Sequence, residues 1–319
     1  MNNKIRGKHK ACQLIATMLL PGILTCQAHA QTATDIENAV TTGSILDDAI
    51  KLPQNGRTRV KETGLLPGEA GIFILKKNKI FYVSSAIASG FTSNPGRTLD
   101  TNSKDAAYGS LALSAGVNTR IAGKYDAGAS LVVSGTEYDR SDAPSNRNFI
   151  GNAYIGRSVF DGLVYLSGNA TAGVSTDRSF KRDVAFYAIG INASMLKKLS
   201  KNILFRPSIS ARRQWSGQSE QNNFDLSAIA SVIWFPKNKW VVTGTLSYSY
   251  KNFDNFFEDV TFVKRRDNVF RGFLSVAYKL NKDIYLSLSL DYTDQNSSFF
   301  LSEYTALDSG VSLKISKRF

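Results

Sequence analysis

Residues 311–319 read VSLKISKRF. Val311, Leu313, Ile315 and Phe319 fall on one face of an extended chain, and Ser312, Lys314, Ser316 and Arg318 on the other. Lys317 interrupts the apolar set. Strand side chains point to opposite faces with period two, so this segment predicts a strand with one apolar and one polar face. The same period returns through most of the chain from residue 80 onward. No segment after residue 30 approaches the roughly 20 apolar residues of a membrane-spanning helix. A chain built of alternating strands can still cross a membrane as a closed barrel, because its backbone groups are satisfied between strands.

The pattern predicts twelve strands, over 80–91, 107–119, 125–138, 148–159, 163–176, 183–196, 202–214, 223–235, 239–252, 268–280, 283–295 and 305–319. Short turns near 121–124, 161–162, 197–201, 236–238 and 281–282 alternate with longer polar loops at 92–106, 140–147, 177–182, 215–222, 253–267 and 296–304. Short turns on one side and longer loops on the other is the barrel arrangement, and an even strand count puts both ends on the periplasmic side.

The faces separate cleanly in the later strands. Phe224, Leu226, Ala228, Ala230, Val232 and Trp234 share one face, and so do Trp240, Val242, Gly244, Leu246, Tyr248 and Tyr250. The opposite faces are rich in Ser, Thr, Asp, Arg and Lys. A sandwich would alternate too, but would bury its apolar faces against each other. The aromatics discriminate. Phe81, Trp234, Trp240, Tyr278 and Phe319 collect near the short turns. Phe91, Phe149, Trp215, Phe224, Tyr250, Phe270 and Tyr292 collect near the long loops. Two aromatic girdles around an aliphatic band match the two membrane interfaces. Arg157 falls on the apolar face of the fourth strand, which predicts a bulge or register change there.

The N-terminus carries the three parts of a secretory leader. Lys4, Arg6, Lys8 and Lys10 precede an apolar stretch over 11–24, and Ala28-His29-Ala30 forms a cleavage site before Gln31. The residues before Cys26 make a poor lipidation signal. The organisation expected is a signal peptide over 1–30, a periplasmic or plug segment over 31–79, and a barrel over 80–319. Residues 35–50 have the spacing of a short amphipathic helix. The small Ser84, Ala86, Ala88, Ser110, Ala112 and Ser114 on the inward faces would leave room for a plug.

Cleavage after Ala30 would remove both cysteines and both histidines. The mature chain then has no disulfide, no thiolate or imidazole metal site, and no Ser-His or Cys-His nucleophile pair. The leader also holds four of the 39 basic residues and none of the 26 acidic ones, leaving 35 against 26, a net charge of +9.

The closing aromatic resembles the terminal residue of bacterial outer-membrane β-barrels, which the barrel-assembly machinery reads; Phe319 is the assembly signal this implies. As a whole, 80–319 resembles the poorly characterised outer-membrane β-barrel porins of Gram-negative bacteria. The resemblance is strongest to those with a Thr/Ser-Asn-Pro segment leaving the first strand, here Thr92-Ser93-Asn94-Pro95. Barrels of exopolysaccharide export and surface-lipoprotein translocation look similar. Many of those carry a long periplasmic helical-repeat domain, which this sequence lacks.

These residues lead to a narrow passive channel with a mild preference for anionic solutes. Arg206, Arg212, Lys251, Arg271, Lys279, Lys314 and Arg318 should line the lumen, against Asp126, Asp225, Asp291 and Asp308. Strand direction places Arg212, Lys251 and Arg271 in the outer half, next to Lys264-Arg265-Arg266 in the adjoining loop. Positive rings favour anions by Coulomb attraction. The alternatives are the outer-membrane component of a polysaccharide or protein export system, and a non-conducting structural or adhesion barrel. The loop over 253–266, with Phe253, Phe256, Phe257 and Phe262, is the candidate contact surface. Outer-membrane barrel enzymes of the phospholipase, palmitoyltransferase, deacylase and omptin types use a histidine, so no enzymatic activity is expected. Expected partners are outer-membrane lipids, lipopolysaccharide, the assembly machinery and small anionic solutes or an export partner. No cofactor, metal or nucleic acid is expected.

Overall fold

The computed structural model describes residues 81–319 apart from 97–103, 122–124, 142, 144, 161–162, 178–181, 238, 257–263, 282 and 300–301. The leader, the 31–79 segment and the 35–50 helix lie outside the described residues. Twelve strands form one antiparallel ring. They are β1 (Phe81–Thr92), β2 (Ala106–Ile121), β3 (Tyr125–Tyr138), β4 (Asn146–Val159), β5 (Val164–Asp177) and β6 (Arg182–Met195). The ring continues with β7 (Ile203–Ser216), β8 (Asn223–Trp234), β9 (Trp240–Phe256), β10 (Lys264–Lys279), β11 (Ile284–Ser297) and β12 (Tyr304–Arg318). The short run Lys197–Ser200 prolongs β6 past Leu196 in its pairing with β7.

Each strand pairs with its sequence neighbours. β1 closes on β12 from Tyr82↔Arg318 to Thr92↔Asp308, so the ring has no open edge. The Thr-Ser-Asn-Pro segment extends that seam. The Ser93 amide donates to the Leu307 carbonyl at 3.0 Å, the Leu307 amide donates to Ser93 Oγ at 2.8 Å, and Asn94 Nδ2 donates to the Thr305 carbonyl at 3.2 Å.

The outer face carries large aliphatic side chains that no protein neighbour covers. Ile87 is 62% exposed, Leu131 68%, Ile191 68% and Leu246 57%. Continuous exposure of this kind around a ring requires an apolar solvent, and the girdles bracket it as the sequence predicts. Trp240 meets Tyr278 on the short-turn side with ring centroids 4.8 Å apart. Tyr187 stacks on Trp215 on the long-loop side at 5.0 Å, with Arg213 above Trp215 and ion-paired to Asp254.

Three expectations are corrected. β4 has no bulge: its register is continuous with β3 from Asn146 to Gly156 and with β5 from Asn146 to Val159. Arg157 points outward and is accommodated by Tyr125, whose hydroxyl lies 3.4 Å from Nη1 and whose ring centre lies 5.5 Å from the guanidinium carbon. It sits two residues from the end of β4, where a long cationic side chain reaches the interface. The expected 253–267 loop is largely strand. β9 runs on to Phe256 because Phe253 still pairs with Asn223 and the Asp254 amide donates to the Asn222 carbonyl at 3.0 Å. β10 begins at Lys264, so Lys264, Arg265 and Arg266 belong to the wall. Phe253 is buried and inward rather than an exposed contact residue; the side chains of Phe256, Phe257 and Phe262 lie outside the described residues.

The inner face is also less uniformly polar than expected. Val132, Ile150 and Phe186 form one buried apolar cluster on it, and Leu204, Ile233, Val241 and Ala277 form another at the short-turn ends of β7–β10. Neighbouring strands hold these side chains against each other, which removes them from lumen water. Several inward rings lie flat over a neighbouring glycine. Tyr82 covers Gly116 and Tyr154 covers Gly128, directly opposite in register.

Candidate pore lining

Residues paired directly across an antiparallel ladder share a face, so register assigns the lumen row by row. In the outer half, Arg212 pairs with Asp225, Asp225 with Lys251, and Lys251 with Asp267. This is a row of alternating charge across four strands. Ser227 Oγ donates to Asp225 Oδ1 at 2.9 Å. At the end of the row Asp267 is fully buried and Arg265 almost so. Arg265 Nε donates to both Asp267 oxygens at 2.9 Å, Ser297 Oγ donates to Oδ1 at 2.6 Å, and the guanidinium carbon lies 4.3 Å from the centre of the Phe253 ring.

Deeper in the lumen Arg271 makes a bidentate pair with Asp291, its Nε at 2.8 and 2.9 Å from the two oxygens. Asp291 lies opposite Asp308, which in turn lies opposite Thr92. Each of the outer-half bases singled out in the sequence thus stands beside a carboxylate, and local pairing shortens the reach of its field.

In the short-turn half the register brings two lysines to one tyrosine. Lys279 pairs with Tyr285, Tyr285 with Lys314, Lys314 with Ala86, and Ala86 with Ala112. Lys279 Nζ lies 6.0 Å from the Tyr285 ring centre. Two lysines therefore flank a buried tyrosine on a wall that continues into alanines and the hydrogen-bonded Ser84 and Ser114. Arg206 lies inward opposite Ser231. Asp126 is buried near the start of β3, opposite Gly156. Arg318 is placed by its backbone, opposite Tyr82.

Sequence reasoning missed Arg265 and Asp267 because it assigned them to a loop. The signal was present: residues 265, 267, 269 and 271 continue the inward period of β10. It also missed the buried amides at the outer strand ends. Asn94, Asn146, Asn148 and Gln295 are each 1–2% exposed there. Gln295 Nε2 donates to the Ser302 carbonyl at 2.7 Å, which ties Ser302 back to β11. An asparagine near a strand end gives no hint in the sequence of whether it turns outward or is buried. Among the described residues no group of three or more Asp, Glu, His or Cys is placed to hold a metal ion.

A closed ring with a lipid-facing apolar band, two aromatic girdles and a charged interior defines a transmembrane β-barrel of outer-membrane type. No family model and no curated protein matches the chain. Among solved structures it is similar to an outer-membrane channel from Pseudomonas putida F1, with a TM-score of 0.51, 7% identity, and coverage of 75% of this chain and 96% of that one. The translocator domain of the autotransporter NalP from Neisseria meningitidis aligns over 91% of this chain and 96% of its own, at 13% identity and a TM-score of 0.47. The NanC porin aligns over 72% and 98%, at 10% identity and a TM-score of 0.44. The fold is that of the Gram-negative outer-membrane β-barrels.

Proposed function

We propose that this barrel is a narrow passive channel through the outer membrane that favours small anionic solutes, with selection at Lys279 and Lys314. The observation that carries this reading is the Lys–Tyr–Lys row beside a wall of alanine and serine. Two ammonium groups offer an anion a favourable potential in a confined, poorly screened space. The small opposing side chains leave width at the same level. The alternating outer row has a different part: it presents both signs to water, hydrates the vestibule and discriminates little. The anion preference therefore moves from Arg212, Lys251 and Arg271 to the short-turn half.

The test is single-channel recording of the refolded mature chain under a salt gradient. The expected result is discrete steps with an anion-selective reversal potential that K279Q/K314Q moves toward zero, while the paired change R271M/D291N moves it little. A reversal potential unaffected by K279Q/K314Q overturns the assignment. Insertion without conductance overturns the channel and favours a structural barrel.

A further inference from the structure

The outer wall is not evenly clad. Across β5–β10 a concave apolar groove of about 570 Å³ runs over the lipid-facing surface, a volume within the roughly 300–1,000 Å³ of ligand pockets. Its floor is made of small outward residues, Pro207, Ala228 and Ala230. Tyr248 stands at one end, and Val164 and Met195 stand at the other. Elsewhere on the band large aliphatics such as Ile87 and Leu131 project.

The depression has a backbone cause. Proline has no amide hydrogen and is unusual inside a ladder. The β6–β7 pairing stops at Ser194↔Ser208 and resumes at Lys197↔Phe205, so the interval spans Pro207.

The groove also has a direction. Tyr248 lies in the middle of β9, whereas Val164 opens β5 and Met195 closes β6. It therefore descends to the short-turn rim, which is periplasmic in barrels of this type. At that rim the β6–β7 hairpin carries Lys197, Lys198 and Lys201 and, over 196–202, no acid. All three lysines are exposed, and among the described residues none pairs with a carboxylate. Leu199 beside them and Phe160 on the adjoining turn are 54% and 75% exposed. An apolar trough ending in exposed cations between exposed apolar anchors complements an amphiphile with an anionic head.

We propose that this groove and hairpin form a binding site for one anionic phospholipid of the periplasmic leaflet. An acyl chain lies over Pro207, Ala228 and Ala230, and the phosphate meets Lys197, Lys198 and Lys201. The charge lies on the periplasmic rim, which selects a phospholipid rather than lipopolysaccharide.

The full chain, extracted in a mild detergent, is titrated with phosphatidylglycerol or phosphatidylcholine and observed by native mass spectrometry. One phosphatidylglycerol is expected to bind in preference to phosphatidylcholine. K197Q/K198Q/K201Q should weaken phosphatidylglycerol roughly tenfold or more and leave phosphatidylcholine unchanged, given the attraction of each basic residue at an anionic surface. A230F, which fills the floor, should weaken both. Equal binding of the two lipids, a lysine variant with wild-type preference, or retention of lipopolysaccharide alone would each overturn the site. If A230F does not fold, the lysine variant in its exposed turn still decides.

Discussion

The Arg265–Asp267 pair offers a quantitative test of how the outer mouth is held. Asp267 is 0% exposed and Arg265 5%. Removing one member of a buried ion pair strands the other charge and costs about 3–5 kcal/mol, whereas replacing both with well-packed neutral residues is often close to neutral. The two single changes should not be equal. Arg265→Met removes the bidentate partner of the Asp267 carboxylate and leaves it the Ser297 hydroxyl and Lys251 opposite in register, so it belongs in that range. Asp267→Asn leaves the guanidinium on the Phe253 ring, a contact of about 0.5–2 kcal/mol, and should cost less. The double variant R265M/D267N should cost well under the sum of the singles. The assay is urea unfolding of the refolded barrel in lipid vesicles, followed by the fluorescence of Trp215, Trp234 and Trp240. Additive costs, or a loss of less than about 1 kcal/mol for R265M, would refute the reasoning that this pair is buried and mutually dependent.

Two further predictions use the same preparation. A Cβ on Gly116 would lie 2.5–2.6 Å from atoms of the Tyr82 side chain. Gly116→Ala should therefore cost about 1–3 kcal/mol as an overpacking change, and adding Tyr82→Ala should relieve part of that; a G116A barrel as stable as wild type would show that the ring does not rest there. The Phe319 amide donates to the Phe81 carbonyl at 2.9 Å and its ring is 59% exposed. Phe319→Ala should lower the heat-modifiable barrel recovered from outer membranes while barely changing the stability of barrel refolded in vitro. Loss of both in equal measure would assign the ring a packing role instead of an assembly role.

The strand pattern was legible because it is a local property. Ten of the twelve strands begin and end within about two residues of the period-two reading, the margin expected of such boundaries. The exceptions share one hairpin. Phe253, Asp254, Lys264 and Arg265 read as loop because aromatic and charged residues crowd there, yet pairing with β8 carries β9 farther outward and Lys264 opposite Phe256 carries β10 with it. Arg157 was placed on its face correctly, but a bulge was expected because the residues alone do not reveal Tyr125, more than thirty positions away, beneath it. The lumen bases were assigned to a face by the same period. Their partners were not, since Arg271 meets Asp291 only when β10 and β11 adopt one particular register.

By itself the sequence determined the architecture: alternation with period two, aromatics sorted to strand ends and no helix-length apolar run leave a closed barrel in a membrane as the solution that satisfies every backbone group. Only the tertiary structure decided which charges neutralise one another, that Asn94, Asn146, Asn148 and Gln295 are buried at the outer strand ends, and that Pro207 lies in a lipid-facing groove above three lysines. The reason is physical. Which face a side chain takes depends on its own position in the strand, whereas what it touches depends on the register of a strand paired across the ring.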